Sequence, residues 1–298
     1  MNKIINLVCH PRKLVISLAS HGLLPMMSDE TFIKLKFKDR MGYKLDLNNP
    51  RTFNEKLQWL KLHDRNPIYT TMVDKYEAKK YVASIIGEKY IIPTLGVWDK
   101  FNDIDFDELP DQFVLKCTHD SGKVVICKDK KHFNLKKAKK AINKSLKTNY
   151  YLTGREWPYK NVRRRIIAEQ YMEDSSSEEL KDFKLMCFNG KVRCSFVCCD
   201  RFSDEGLKVT FFDRNWEKMP FERHYPSSKE VINRPRNYDT MIILAEKLSK
   251  DIPFVRVDFY EINNNVYFGE LTFFPGSGLE KFKPFEWDEG IGKWISTL

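Results

Sequence analysis

Apolar residues recur at helical spacing through the first half of the chain and alternate with polar ones through the last third, so helices precede a strand-rich region. Residues 1–50 read as a helical prelude broken at Pro11, Gly22, Pro25 and Pro50. From Thr52 the run Phe53, Leu57, Leu60 has helical rhythm, and Thr52 with Glu55 makes a capping box. A second helix is expected over 74–86, ended by Gly87. A third covers 134–147, with Leu135, Ala138, Ile142 and Leu146 as its apolar stripe. A fourth covers 238–248, burying Met241, Leu244, Ala245 and Leu248.

Strands are expected at 113–116 and 123–127, separated by the polar turn from Thr118 through His119, Asp120 and Ser121 to Gly122. Glycine there permits close backbone approach to a ligand, and Lys116 and Lys123 supply positive charge; an ordinary hairpin is the plain alternative. Another strand falls in 165–172. Residues 182–188 and 191–198 form a hairpin around Asn189-Gly190, a pair suited to a type I′ turn. Its register puts Phe183, Leu185 and Cys187 on one face and sets Lys184 opposite Ser195 on the other. A short aromatic strand is expected at 210–212.

The last hairpin carries the most chemistry. With Asn263, Asn264 and Asn265 as the loop, Ile262 faces Val266, Asp258 faces Glu270 and Arg256 faces Thr272. Opposed carboxylates repel unless neutralised, and two oxygen-rich ligands at that separation suit Mg2+, which is held by one or two carboxylates plus substrate phosphates. The mix of helices with a late antiparallel sheet indicates an α+β fold rather than a doubly wound dinucleotide fold.

Composition narrows the class. A 298-residue chain with 31% charged residues can bury a large core. Its most apolar early stretch, 14–19, is far shorter than the roughly 20 residues a membrane helix needs. No small-residue cleavage site flanks it, so a cytoplasmic protein is expected, with the amphipathic prelude capping the main body or touching the membrane's inner face. The seven cysteines lack paired ligand spacing and read as buried thiols; neighbours Cys198 and Cys199 would point to opposite faces of a strand. The net charge of +10 is concentrated in 116–165, where sixteen lysines and arginines meet three acidic residues. Such bias attracts a phosphate ligand, nucleic acid or an anionic membrane, and it also fits a solvated helix face. Aromatic interleaving is slight, so a specific nucleic-acid module is the weaker reading.

Several strings together resemble the TupA-like ATP-grasp family: Phe113 to Gly122, then Ala168-Glu169-Gln170-Tyr171, Asp182-Phe183-Lys184, Val255-Arg256-Val257-Asp258 and Phe268-Gly269-Glu270-Leu271-Thr272. Phe53 to Lys61 and Asp74-Lys75-Tyr76 extend the match, which runs in order over roughly 40–298. The resemblance implies an ATP-grasp fold whose two lobes enclose ATP. Residues 51–298 would form the catalytic region, with a nucleotide lobe near 113–172 and a metal-binding core near 181–298, behind an added N-terminal helical region over 1–50.

By that resemblance Lys116 and Lys75 reach ATP phosphates, and His119, Ser121 and Gly122 belong to the covering loop. Glu169 accepts from ribose hydroxyls, while Tyr171 and Met172 line adenine. Asp258, Glu270 and Thr272 hold Mg2+, although the usual ending has asparagine where this chain has Thr272. Arg256 stabilises developing charge, Lys184 contacts phosphate or forms an internal ion pair, and Ser277 meets the acceptor. The implied cofactors are ATP and Mg2+. The implied reaction joins a carboxylate to an amine through an acylphosphate, in bacterial surface-polysaccharide or teichuronopeptide synthesis. The partners would be a carboxylate-bearing glycan precursor, free or lipid-linked, and an amine acceptor. Many relatives carry a glycosyltransferase label, so glycosyl transfer and sugar phosphorylation stay open as alternatives.

Overall fold

In the computed structural model, residues 11–122, 124–175, 180–199 and 206–296 are described. Lys123 and Cys9 therefore lie outside the described residues. Two antiparallel sheets organise the chain. The first has strands β1 (Thr94–Trp98), β2 (Phe113–Cys117), β3 (Val124–Cys127) and β4 (Ile166–Gln170) in the order β1-β4-β2-β3. The second has β5 (Asp182–Phe188), β6 (Lys191–Cys199), β7 (Lys208–Asp213), β9 (Phe254–Ile262) and β10 (Asn265–Thr272) in the order β10-β9-β5-β6-β7. β8 (Glu222–Arg223) and β11 (Phe282–Lys283) pair as a separate two-stranded ribbon that packs on the second sheet through Arg223.

Helix Leu135–Leu146 covers the first sheet, burying Ala138 and Ile142 against Phe113, Leu115, Ile166 and Ala168. Its lysines face solvent, as the solvated-face reading expects, and Leu135 lies exposed with them. Helix Tyr238–Leu248 covers one face of the second sheet, where Leu185, Val197, Val257 and Phe259 pack beneath Met241 and Ala245. Cys117, Cys127, Cys187 and Cys194 are all buried.

Helix Phe53–His63 begins with the expected box: Thr52 accepts from the Glu55 amide while Glu55 accepts from the Thr52 amide. The second helix is shorter than its pattern predicts. A six-residue helix, Ile68–Val73, is followed by Glu77–Ile86, because the Asp74 carboxylate binds the amides of Tyr76 and Glu77 and so forms a turn where the helix was expected to start. Among the described residues the prelude begins with a helix over Pro11–Ser20. That helix pairs with Asp29–Met41, and the two bury Ala19, Phe32, Ile33 and Phe37 in a cluster that includes Leu279. No helix of the described residues is long and apolar enough to cross a membrane.

Candidate active site

The carboxylate hairpin reaches its expected pairing by an unexpected route. Its turn is two residues, not three: Asn263 and Asn264 both take positive φ (49° and 62°), and Asn265 pairs with Ile262. A bulge at Gly269 then adds one residue to β10, so that Asp258 still faces Glu270 and Arg256 still faces Thr272. A smaller correction applies to the neighbouring hairpin. A bulge in β6 at Arg193 shifts the pairing beyond the Asn189-Gly190 turn, and Lys184 faces Phe196 rather than Ser195.

Strand alternation gathers Asp182 and Lys184 of β5, Arg256 and Asp258 of β9, and Glu270 and Thr272 of β10 on one face, opposite the face that helix Tyr238–Leu248 covers. Arg256 binds both oxygens of Asp258 (Nε–Oδ1 2.6 Å, Nη2–Oδ2 2.6 Å) and reaches Glu270 Oε1 at 2.7 Å. Lys184 Nζ lies 2.6 Å from Asp258 Oδ2 and also binds Asp182, so the internal ion pair foreseen for it is present. Thr272 Oγ1 is 3.3 Å from Glu270 Oε1.

Burial pushes Asp258 up to about 6 despite Arg256 and Lys184. Burial would raise Glu270 too, but Arg256, Lys184, Lys75 and Lys116 outweigh it and bring that carboxylate down to about 2. Lys116 is on β2 of the first sheet, and Lys75, in the turn before helix Glu77–Ile86, donates its amide to the Thr118 carbonyl just past β2, so cations from the first sheet and its flank look onto a carboxylate of the second.

The residues fit a divalent cation held with help from a ligand. Among the described residues no three acidic, His or Cys side chains converge on one point, so the chain offers a pair of carboxylates rather than a closed cage. Three carboxylates here meet two cations, one buried oxygen, Asp182 Oδ1, has no hydrogen-bond partner, and the Glu270 side chain is 43% exposed and so reachable. Asp258 and Glu270, with Thr272 beside them, would hold the ion.

Across the cleft, Glu169 on β4 is buried between two lysines: Lys116 Nζ is 2.5 Å from one oxygen and Lys79 Nζ 2.6 Å from the other. Its burial is outweighed by Lys116 and Lys79, which hold its pKa near 2. Each oxygen thus accepts from one lysine, with a second lone pair left on each. Lys75 binds the Asp120 carbonyl, fixing the Thr118–Gly122 turn from beneath. His119 turns inward, its Nε2 3.1 Å from the Thr148 carbonyl, and burial lowers its pKa. Of the expected turn residues, only Ser121 and Gly122 are exposed. Tyr171 and Met172 are half-buried past the end of β4; Tyr171 lines an 860 Å³ cavity with Leu95, Gln112 and Lys128.

Ser277 lies beside a buried lysine. Its hydroxyl faces inward, 2.9 Å from Lys61 Nζ, and its φ of +57° is held between Gly276 and Gly278, also left-handed. Lys61 is 1% exposed and also reaches Gln58 Oε1 and the carbonyls of Gly154 and Ser277 at 2.8–3.0 Å. Burial pushes Lys61 down to about 7, against the pull of Glu156, and burial raises Glu156, which Ser277 also hydrogen-bonds.

The sequence reading passed over Lys61, Lys79, Glu156 and Asp182. A signal existed for the lysines. Asn54, Leu57, Gln58 and Lys61 share one helical stripe, as do Lys79, Val82 and Ile86, so each lysine occupies a core-facing position.

Two antiparallel sheets whose charged residues meet across a cleft define the ATP-grasp ligase class. The chain belongs to the TupA-like ATP-grasp family, whose model matches residues 55–296. No functionally curated protein matches the chain. Among solved structures it is similar to D-alanine–D-alanine ligase from Helicobacter pylori, at 15% identity and a TM-score of 0.45, over 82% of this chain and 69% of that one. It is similar to the Bacillus anthracis D-alanine–D-alanine ligase complexed with ATP at 18% identity and a TM-score of 0.39, over 68% of this chain and 55% of that one. The ATP-grasp ligase PsnB, complexed with a precursor variant, Mg and ADP, aligns at 8% identity and a TM-score of 0.45, over 93% and 72%.

Proposed function

We propose that the chain is an ATP- and Mg2+-dependent carboxylate–amine ligase that acts on a carboxylate-bearing glycan precursor in bacterial surface-polysaccharide synthesis. The observation that carries this reading is the cross-strand pair Asp258–Glu270, bridged by Arg256 and overlooked by Lys116 of the other sheet and by Lys75 of the turn beside it. Bound Mg2+ would neutralise the phosphate oxygens and so make the terminal phosphorus open to attack.

The chain's own residues would do the rest. Lys75 and Lys116 bind phosphate oxygens, and Glu169 with Lys79 keeps the Lys116 ammonium in place. Tyr171 and Met172 border the base. Ser121 and Gly122 close over the phosphates with backbone N–H groups; Gly122 has φ +82° and open space around it. Arg256 and Lys184 stabilise the charge that builds as the substrate carboxylate oxygen bonds to the terminal phosphorus and ADP leaves. The amine nitrogen then bonds to the acyl carbon of this acylphosphate, the C–O bond to phosphate breaks, and the amine gives up a proton.

Purified protein incubated with ATP, Mg2+ and candidate uronic acid–amine pairs should release ADP and phosphate together with a product lighter than the sum of the pair by one water. Release of a nucleoside diphosphate from a sugar-nucleotide without ADP, or a phosphorylated sugar without amide, would overturn the ligase reading.

A further inference from the structure

The β8–β11 ribbon has two faces, and only one is explained by the cleft. Arg223 and Phe282, paired across it, point inward: Arg223 lies over the rings of Phe196 and Phe211, 5.0 and 5.2 Å from their centroids. Arg256 also lies against this aromatic layer, 5.8 Å from the Phe196 centroid. Strand alternation therefore turns Glu222, His224, Lys281 and Lys283 outward. They form one wall of a 630 Å³ groove whose other wall is the N-terminal helix pair, with Lys13 and Arg40. That volume is within the range of about 300–1,000 Å³ typical of ligand sites.

Among the described residues, Lys13, Arg40, Lys281 and Lys283 have no carboxylate within 4 Å, although Asp39 and Glu222 also line the groove. Four cations left unpaired beside two carboxylates are not a self-neutralised surface. The floor includes Leu279, two residues beyond Ser277. Lys13 and Arg40 lie before residue 55, outside the stretch the family model matches.

We propose that this groove binds an acidic carbohydrate chain, carrying the length of the carboxylate-bearing glycan that trails away from its reacting end. The reacting end rests on the ligase reading; the groove does not. The mixture of charges selects the chemistry. Cations take up carboxylates spaced one per sugar, while Asp39 and Glu222 accept from sugar hydroxyls and repel a densely charged phosphate backbone. A nucleic acid would also need several aromatic faces for stacking, and of the two rings that line this groove Phe282 is buried, which leaves His224 alone exposed.

The test is binding of a fluorescent oligogalacturonate to the full chain by anisotropy, beside a neutral malto-oligosaccharide, single-stranded DNA and phosphatidylglycerol vesicles. The uronate should bind most tightly, and its affinity should fall as salt rises. The double variant Lys281→Ala with Lys283→Ala should bind it about tenfold more weakly, with melting temperature and ATP-analogue affinity unchanged. Lys229→Ala with Lys250→Ala, on another surface, should bind it normally. Equal binding of the neutral sugar, equal binding by the groove variant, or tighter binding of DNA or vesicles would overturn the proposal. ATP-analogue binding separates the two readings: uronate bound without nucleotide would sink the ligase and keep the groove, and nucleotide without uronate would do the reverse.

Discussion

Arg256 Nη2 lies 2.7 Å from Glu270 and 2.6 Å from Asp258, so one guanidinium spans carboxylates carried on neighbouring strands. The contact occupies the place the ligase reading gives to a divalent cation. Replacing Arg256 with Met leaves Asp258, 1% exposed, with Lys184 alone. Removing one partner of a buried pair costs about 3–5 kcal/mol. The variant should melt well below the parent in chelator, and millimolar Mg2+ should raise its melting temperature more than the parent's, because a cation then fills the gap. Equal Mg2+ shifts in the two proteins would show that these carboxylates do not take up the ion.

Glu169 supplies a second test, through pH. Its pKa falls from 4.5 in the unfolded chain to about 2 in the folded one. The unfolded chain therefore binds more protons between those values, and this group's stabilisation is complete above pH 4.5 and is lost as pH falls toward 2. One such group changes stability by at most about 1.4 kcal/mol per pH unit. Glu169→Gln keeps the shape and removes the charge. It should flatten the acid limb of the denaturation profile in that window and weaken ATP-analogue binding by releasing Lys116. Unchanged acid sensitivity would mean the two lysine contacts do not hold Glu169 ionised.

The local rules of the chain are legible where a single motif decides them. The Thr52–Glu55 box, the Asn189-Gly190 turn and the helix at 238–248 follow from short-range chemistry alone. Long-range features were harder. The turn of the last hairpin was read one residue too long, and the Gly269 bulge was unseen; the two errors cancel at Asp258 and Glu270. A bulge answers to packing across the sheet, where a Cβ at Gly269 would meet Tyr260 at 3.1 Å and the Asp258 carbonyl at 3.2 Å. Lys61 and Lys79 look like surface lysines until a tertiary partner is known, because burial of a cation depends on segments far away in sequence: Ser277 for one, Glu169 for the other.

Gly154 tests how tightly the Ser277 turn is held. A Cβ at Gly154 would lie 2.3 Å from Ser277 Oγ and 2.9 Å from Glu156 Oε1. Ser277 is held by the buried Lys61 and Glu156 by the Ser277 hydroxyl, so they have little room to give. Gly154→Ala should cost about 1–3 kcal/mol, the usual range for overpacking, read as a lower urea midpoint. Ser277→Gly, which relaxes the left-handed residue and frees the space, should restore part of that loss when combined with it. Purely additive effects would show that the two positions do not press on each other.

Lys61 makes the sharpest case, because its electrostatics and its geometry pull in opposite directions. Four acceptors lie within 3.0 Å of Nζ and favour the ammonium, while full burial favours the amine and lowers the pKa from 10.5 to about 7. Between pH 7 and 10.5 the unfolded chain thus holds the extra proton, and the contribution of this group to stability rises with pH across that window, by at most about 1.4 kcal/mol per unit. Lys61→Met removes the titration while keeping a long apolar stem. The unfolding free energy of the parent minus that of the variant should therefore rise from pH 7 to 10, measured by urea denaturation with tryptophan fluorescence. A difference that stays flat over the same range would mean that the four acceptors win and Lys61 stays charged in the core.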